Sequence, residues 1–198
     1  MLSVINVQVF RQERALFEPL NFYLKSGEAV HLVAPNGVGK STLMKAFLGH
    51  ISYLGEINWD GVRLSEQLNN VFILPHGNIL LSHLTVCQQL EYWSVFFKDN
   101  ISQEVREFLE GSDLMPYLES PIQHLSSGQM KKLALCSLMF SFRRLWILDE
   151  PLTALDKETQ EIFLQYAGRY LNRGGAIVAA SHQTLAPFFK EIPLVGLC

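Results

Sequence analysis

The order of three short segments limits what this chain can fold into more than any other feature. Ala34-Pro35-Asn36-Gly37-Val38-Gly39-Lys40-Ser41-Thr42 comes first, directly after the apolar run Ala29–Val33. Leu125-Ser126-Ser127-Gly128-Gln129 follows, and then Leu145-Trp146-Ile147-Leu148, which runs into Asp149-Glu150. Short apolar runs bounded by turn residues read as buried strands. Strands alternating with helical patterning give an α/β fold with a mostly parallel sheet. The carboxylates of Asp149 and Glu150 then emerge at the C-terminal edge of a strand, where open α/β sheets hold ligands.

The first segment fits the phosphate-loop pattern GxxxxGK[ST] except at its first position, where Ala34 replaces glycine. Alanine fits there if the backbone has negative φ. A triphosphate needs many donors brought close to the backbone. Gly37 and Gly39 lack Cβ atoms and let the loop's N–H groups wrap the phosphates. Lys40 would reach the β- and γ-oxygens, and the Ser41 hydroxyl would coordinate Mg²⁺. A helix opening at Lys40 adds the positive end of its dipole. Pro35, Asn36, Val38 and Thr42 complete the nucleotide loop. Asp149 would hold Mg²⁺ through water, and Glu150 would orient or deprotonate the attacking water.

The rest of the chain fits one domain. Its 198 residues suffice for a single core, and 48% apolar content marks a folded protein. No run of about 18 apolar residues spans a bilayer, and the N-terminus carries no export signal. A net charge of −3 gives no reason to expect nucleic acid. Cys87, Cys136 and Cys198 are scattered and imply neither disulfides nor zinc. Short strands fill the opening third, including Leu20–Leu24 and Gly55–Gly61, the latter closed by an Asp-Gly turn. Val71–Leu74 is another strand. Residues 84–118 are mostly helical, with Thr85 as a cap. A further helix runs from Gln129 to about Phe142, then come a helix over 157–171, a strand over 176–180, and a final helix.

In this order the motifs resemble the ATP-binding subunit of ABC transporters across nearly the whole chain. The resemblance implies a P-loop NTPase of ABC type over residues 1–198, with an N-terminal antiparallel β part and a short helical subdomain at about 77–127. ATP and Mg²⁺ are the implied cofactors. Leu125, Ser126, Ser127, Gly128 and Gln129 correspond to the signature loop, which acts on the γ-phosphate of the opposite subunit. Ser127 and Gly128 suit that role, offering a hydroxyl and an unobstructed N–H at a helix N-terminus. A simple N-cap explains the serines equally well. One copy of each motif implies an ATP-dependent, head-to-tail homodimer. Asp156 falls in the dimer-contact loop, and His182 at the position of the switch histidine beside Glu150. His76 stands where the family has a metal-contacting glutamine. Phe10 is the candidate platform for adenine, with Arg11 as the alternative and Phe17 as core. His31, in a buried strand, reads as structural.

Within the family, the chain is most similar to the ATP-binding subunit of the bacterial cytochrome c biogenesis haem exporter. The segments carrying this are Glu13–Phe17, the His76 substitution, Leu145–Pro151, and Gly174–Val178 with Ser181-His182-Gln183. That implies integral membrane permease partners and a peripheral place on the cytoplasmic side of the inner membrane. It implies no direct membrane insertion and no nucleic acid. Val86–Phe97, with Tyr92 and Trp93, is the expected docking surface. The alternatives are another small exporter with lipid, peptide or metal cargo, and a soluble ABC ATPase.

Overall fold

Apolar and polar residues alternate along β1 (Leu2–Arg11), and the alternation slips once, at Asn6. Asn6 has a φ of 50°, and the pairing register of β1 shifts on both sides of it. The slip buries both Val4 and Val7. Across from it, Gly55 has a φ of 90°, and a Cβ there would lie 2.4 Å from the carbonyl oxygens of Ile5 and Asn6. Only glycine can cross the bulge at that distance. β1 pairs with β2 (Arg14–Ala15), β3 (Leu20–Leu24) and β5 (Tyr53–Trp59), all antiparallel. β5 turns into β6 (Val62–Arg63) through Asp60 and Gly61, with φ of 49° and 81°. Both values suit the tight hairpin expected from the Asp-Gly pair.

The computed structural model describes residues 1–35, 37–77, 79–140 and 143–197. These fall into two units, the first comprising Met1–His76, Arg143–Pro151 and Tyr170–Cys198. Its second sheet is parallel, in the order β10 (Phe189–Pro193), β4 (Ala29–Val33), β9 (Ala176–Ser181), β8 (Leu145–Asp149), β7 (Val71–Leu74). One face contributes Val30, Leu32, Leu145, Ile147, Ala176, Val178 and Ala180 to the core. Leu43, Met44 and Phe47 of α1 (Lys40–Phe47) join them, with Leu2, Val4, Val7 and Val9 of β1. Each valine, leucine, isoleucine, methionine or phenylalanine among them contributes about 1.5–3 kcal/mol on burial. On the opposite face Trp146 stacks on Tyr170, with ring centroids 3.7 Å apart.

The helix expected after Ala180 does not form. The chain runs irregularly from His182 to Phe188 and then adds β10 alongside β4. Pro187 lacks an N–H and disfavours a helix. An edge strand tolerates the exposed Lys190 and Glu191 and the terminal Pro193.

The second unit comprises Gly77–Phe142 and Leu152–Arg169. It holds α2 (Val86–Phe97), α3 (Gln103–Gly111), α4 (Ser127–Cys136) and most of α5 (Lys157–Asn172), whose last residues belong to the first unit. Thr85 caps α2 in a reciprocal box with Gln88. Val86, Leu90 and Trp93 are buried, and Trp93 lies 5.8 Å from Phe140. The helix after Gln129 closes at Cys136 and tightens into a 3₁₀ turn over Ser137–Met139, short of its expected end. Phe142 itself lies outside the described residues. Among the described residues no helix is long and apolar enough to cross a membrane.

Candidate active site

The loop that follows β4 begins with Ala34, which is 1% exposed and does not take positive φ. Alanine therefore fits without strain where the pattern expects glycine. Gly37 and Gly39 do need their freedom, with φ of 87° and 114°. A Cβ on Gly37 would meet nothing within 4 Å, whereas one on Gly39 would lie 2.8 Å from Leu16 Cδ1. Gly39 is the N-cap of α1, and no side chain caps that helix. Its first-turn amides are thus available to an anion. Val38 packs against the apolar core, and Asn36 lies outside the described residues.

Lys40 is buried at the base of the loop. Its Nζ donates to the carbonyls of Ala34 at 2.8 Å and Pro35 at 3.2 Å, and lies 3.0 Å from Glu150 Oε1. The Ser41 hydroxyl donates to Asp149 Oδ2 at 2.6 Å. Asp149 is buried, and its Oδ1 has no hydrogen-bond partner. β8 therefore ends in one carboxylate whose second oxygen is buried and unpaired.

Glu150 follows at a φ of 49°, a conformation side chains seldom adopt, with its N–H donating to the Ala180 carbonyl at 2.8 Å. Its carboxylate accepts from Ser181 Oγ at 3.2 Å and faces His182 Nδ1 at 3.0 and 3.1 Å. Burial raises the pKa of this carboxyl. Hydrogen bonds from His182 and Lys40 and the charge of Lys40 outweigh that, and the value falls to about 2. Glu150 is held ionised.

Gly37, Gly39, Lys40, Ser41, Thr42, Asp149 and Glu150 line one cavity of about 300 Å³, together with His76 and Arg11. Arg11 rather than Phe10 lines it; Phe10 is 37% exposed on the β1–β2 hairpin, opposite Ala15. Phe17 is fully buried. Sequence reasoning overlooked Ser181 as a partner of Glu150. The available signal was a hydroxyl residue placed directly at the end of an apolar strand.

In the second unit, Leu125 is buried and Ser126 caps α4. Ser126 Oγ accepts from the Gln129 N–H at 3.2 Å, and the Gln129 side chain accepts from the Ser126 N–H at 2.8 Å. These two residues have a local capping role, while Ser127 is exposed on the first turn. A Cβ on Gly128 would sit 3.0 Å from the Ala154 carbonyl, so glycine also serves packing inside this unit. Asp156 pairs with Lys132 at 2.6 Å and accepts from the Thr159 N–H at 2.8 Å, at the start of α5. The Lys132 hydrogen bond and then the Thr159 amide hold its carboxyl well below the usual range.

Fold and site together define a P-loop α/β domain. The chain belongs to the ABC transporter family, which its residues 17–153 match. It is 32% identical, over 98% of its length and 99% of the relative's, to the cytochrome c biogenesis ATP-binding export protein CcmA of Vibrio vulnificus (strain YJ016). It is also similar to the structure of a putative ABC transporter ATP-binding protein from Pyrococcus furiosus, with a TM-score of 0.84 and 23% identity over 98% of this chain and 96% of that one. A dimeric ATP-binding cassette in a post-hydrolysis state, bound to ADP and Pi, aligns with a TM-score of 0.78 and 22% identity over 98% of this chain and 94% of the other.

Proposed function

We propose that the chain is the ATP-hydrolysing subunit of a membrane ABC exporter serving cytochrome c biogenesis, with haem as the cargo its complex handles. The observation that carries the hydrolytic reading is the convergence in one cavity of an uncapped glycine loop, the Ser41–Asp149 pair and an ionised Glu150. Nucleotide phosphates would take the loop amides and the Lys40 ammonium. The residues fit Mg²⁺: Ser41 supplies a hydroxyl and Asp149 a buried oxygen without a hydrogen-bond partner, with phosphate oxygens and water to complete an oxygen shell. Held by Ser41 and Asp149, Mg²⁺ would supply positive charge that offsets the charge developing on the phosphates.

Lys40 has two competing partners, and this gives Glu150 its timing. Beside the ammonium, the carboxylate is a weak base. When Lys40 turns to phosphate, its hydrogen bond and charge no longer hold the carboxyl down, and the carboxyl becomes more basic. Glu150 then orients the attacking water and accepts its proton, with His182 holding the carboxylate in place. His76 lines the same cavity, which supports a role for it in reporting the cavity's contents to a partner. Arg11 is the better placed side chain for the adenine side, with Phe10 next to it.

The signature residues Ser127 and Gly128 would meet the γ-phosphate of a second copy, giving an ATP-dependent homodimer with Asp156 in its contact loop. The whole chain acts as one ABC ATPase domain, with the helical subdomain at about 77–127. Outward-facing Tyr92, Val95 and Phe96, opposite the buried face of α2, suit docking of an integral membrane permease. The protein would then sit on the cytoplasmic side of a bacterial inner membrane. The test is recovery of tagged Glu150→Gln protein with ATP from detergent-solubilised membranes, followed by mass spectrometry. Cytochrome c biogenesis membrane subunits are expected. Unrelated permeases would overturn the cargo, and no membrane partner would overturn the transporter reading.

A further inference from the structure

Histidine is a costly choice for the middle of a buried strand, because its two ring nitrogens both need partners. His31, on β4, is 1% exposed. Its Nε2 lies 3.2 Å from the Ser181 carbonyl. A carbonyl only accepts, so Nε2 carries the proton. Its Nδ1 has no hydrogen bond and lies 3.7 Å from Glu191 Oε1 on β10. The registers explain the reach. His31 lies level with Ala179 on β9 and with Glu191 on β10. The alanine methyl leaves room for the imidazole to extend along the sheet towards Ser181, two residues further on.

Ser181 is the point where these strands meet the site. Its carbonyl accepts from the Ala34 N–H at 3.4 Å as well as from His31. Its hydroxyl donates to Glu150 and accepts from the Gln183 N–H at 2.9 Å. The next residue is His182, which also faces the Glu150 carboxylate. One peptide thus carries both side chains that grip Glu150 from β9, and His31 is the side chain that pins that peptide from below.

We infer that His31 is a positioning residue for hydrolysis: by donating to the Ser181 carbonyl it fixes the end of β9 so that Ser181 and His182 meet Glu150. The inference rests on the hydrolytic reading of Glu150 given above. His31 does not line the cavity, so its loss is expected to fall on kcat rather than on KM.

Three variants test this in the full-length chain. His31→Phe keeps the ring volume and removes the donor, and the Ser181 carbonyl retains the Ala34 N–H. His31→Gln keeps a donor. Glu191→Ala alters only an exposed side chain on an edge strand. His31→Phe should lower kcat for ATP about ten- to a hundredfold with KM unchanged, the scale of losses from small displacements of reacting groups. His31→Gln should recover most of it, and Glu191→Ala, which leaves the Nε2 donor in place, should keep the wild-type kcat. Wild-type kcat in His31→Phe would overturn the inference. So would equal losses in the Phe and Gln variants that track their melting temperatures. The ¹⁵N shifts of the His182 ring separate this inference from its premise, because they report the contact with Glu150 whether or not Glu150 is the base. If Glu150→Gln hydrolyses ATP normally, the hydrolytic reading fails; unchanged His182 shifts in His31→Phe sink the positioning role by themselves.

Discussion

Replacing Glu150 with glutamine should tighten binding of ADP. In the protein, Lys40 Nζ lies 3.0 Å from Glu150 Oε1, and both side chains are 7% exposed. At an effective dielectric of about 20, that pair attracts by roughly 5 kcal/mol. A phosphate that draws the ammonium away restores much of this attraction, so only part of it opposes binding. Charge-assisted hydrogen bonds contribute about 1.5–3 kcal/mol net, and neutral acceptors roughly half as much. Glutamine therefore removes about 0.75–1.5 kcal/mol of competition for Lys40, or roughly three- to twelvefold in affinity at about 1.4 kcal/mol per tenfold. ADP is the right ligand, because it excludes trapping by blocked hydrolysis. Titration with a fluorescent ADP analogue at low protein concentration reads the change. The gain should survive moderate salt, since the pair is buried. Equal or weaker ADP binding in Glu150→Gln would refute the competition between Glu150 and phosphate for Lys40.

The Glu150 carboxyl falls from its ordinary 4.5 to about 2 on folding. Between those values the unfolded chain binds more protons, so stability rises with pH there. The contribution is complete above pH about 4.5 and is lost as pH falls through about 2. Acid unfolding followed by circular dichroism should show wild-type protein losing more stability than Glu150→Gln across that window, and parallel curves would contradict it. On α2, Val95 is 78% and Phe96 63% exposed. Val95→Glu with Phe96→Glu should leave the melting temperature within about 0.5 kcal/mol equivalent and abolish co-purification of membrane subunits. Retained co-purification would remove this face from the docking surface.

Local chemistry in the sequence was enough to locate the glycine loop before α1, the Asp149-Glu150 strand end and the cap before α4. In each case the decisive groups are adjacent in the chain. Glycines set their own φ, Lys40 and Ser41 follow on a helix start, and Ser126 with Gln129 closes a box over a single turn. Patterning also gave most of the strands and helices, because one buried face imposes period on the residues that make it. It failed after Ser181, where β10 forms through pairing with β4, far away in sequence. A propensity for helix in that stretch had no means of registering an available sheet edge.

Tertiary structure alone decided which partners each charged group holds. Lys40 and Glu150 are 110 positions apart by residue number, yet they pair because β4 and β8 both end at the same sheet edge. Arg11 lines the cavity, where the sequence pointed first to Phe10, because the twist of a hairpin sets which of two neighbours faces inward. His31 looks like a packing residue from its apolar neighbours in the chain. Only the register of three parallel strands sets it between Glu191 and Ser181. Chain order fixed which functional groups this protein carries, while strand pairing across long separations fixed which of them meet.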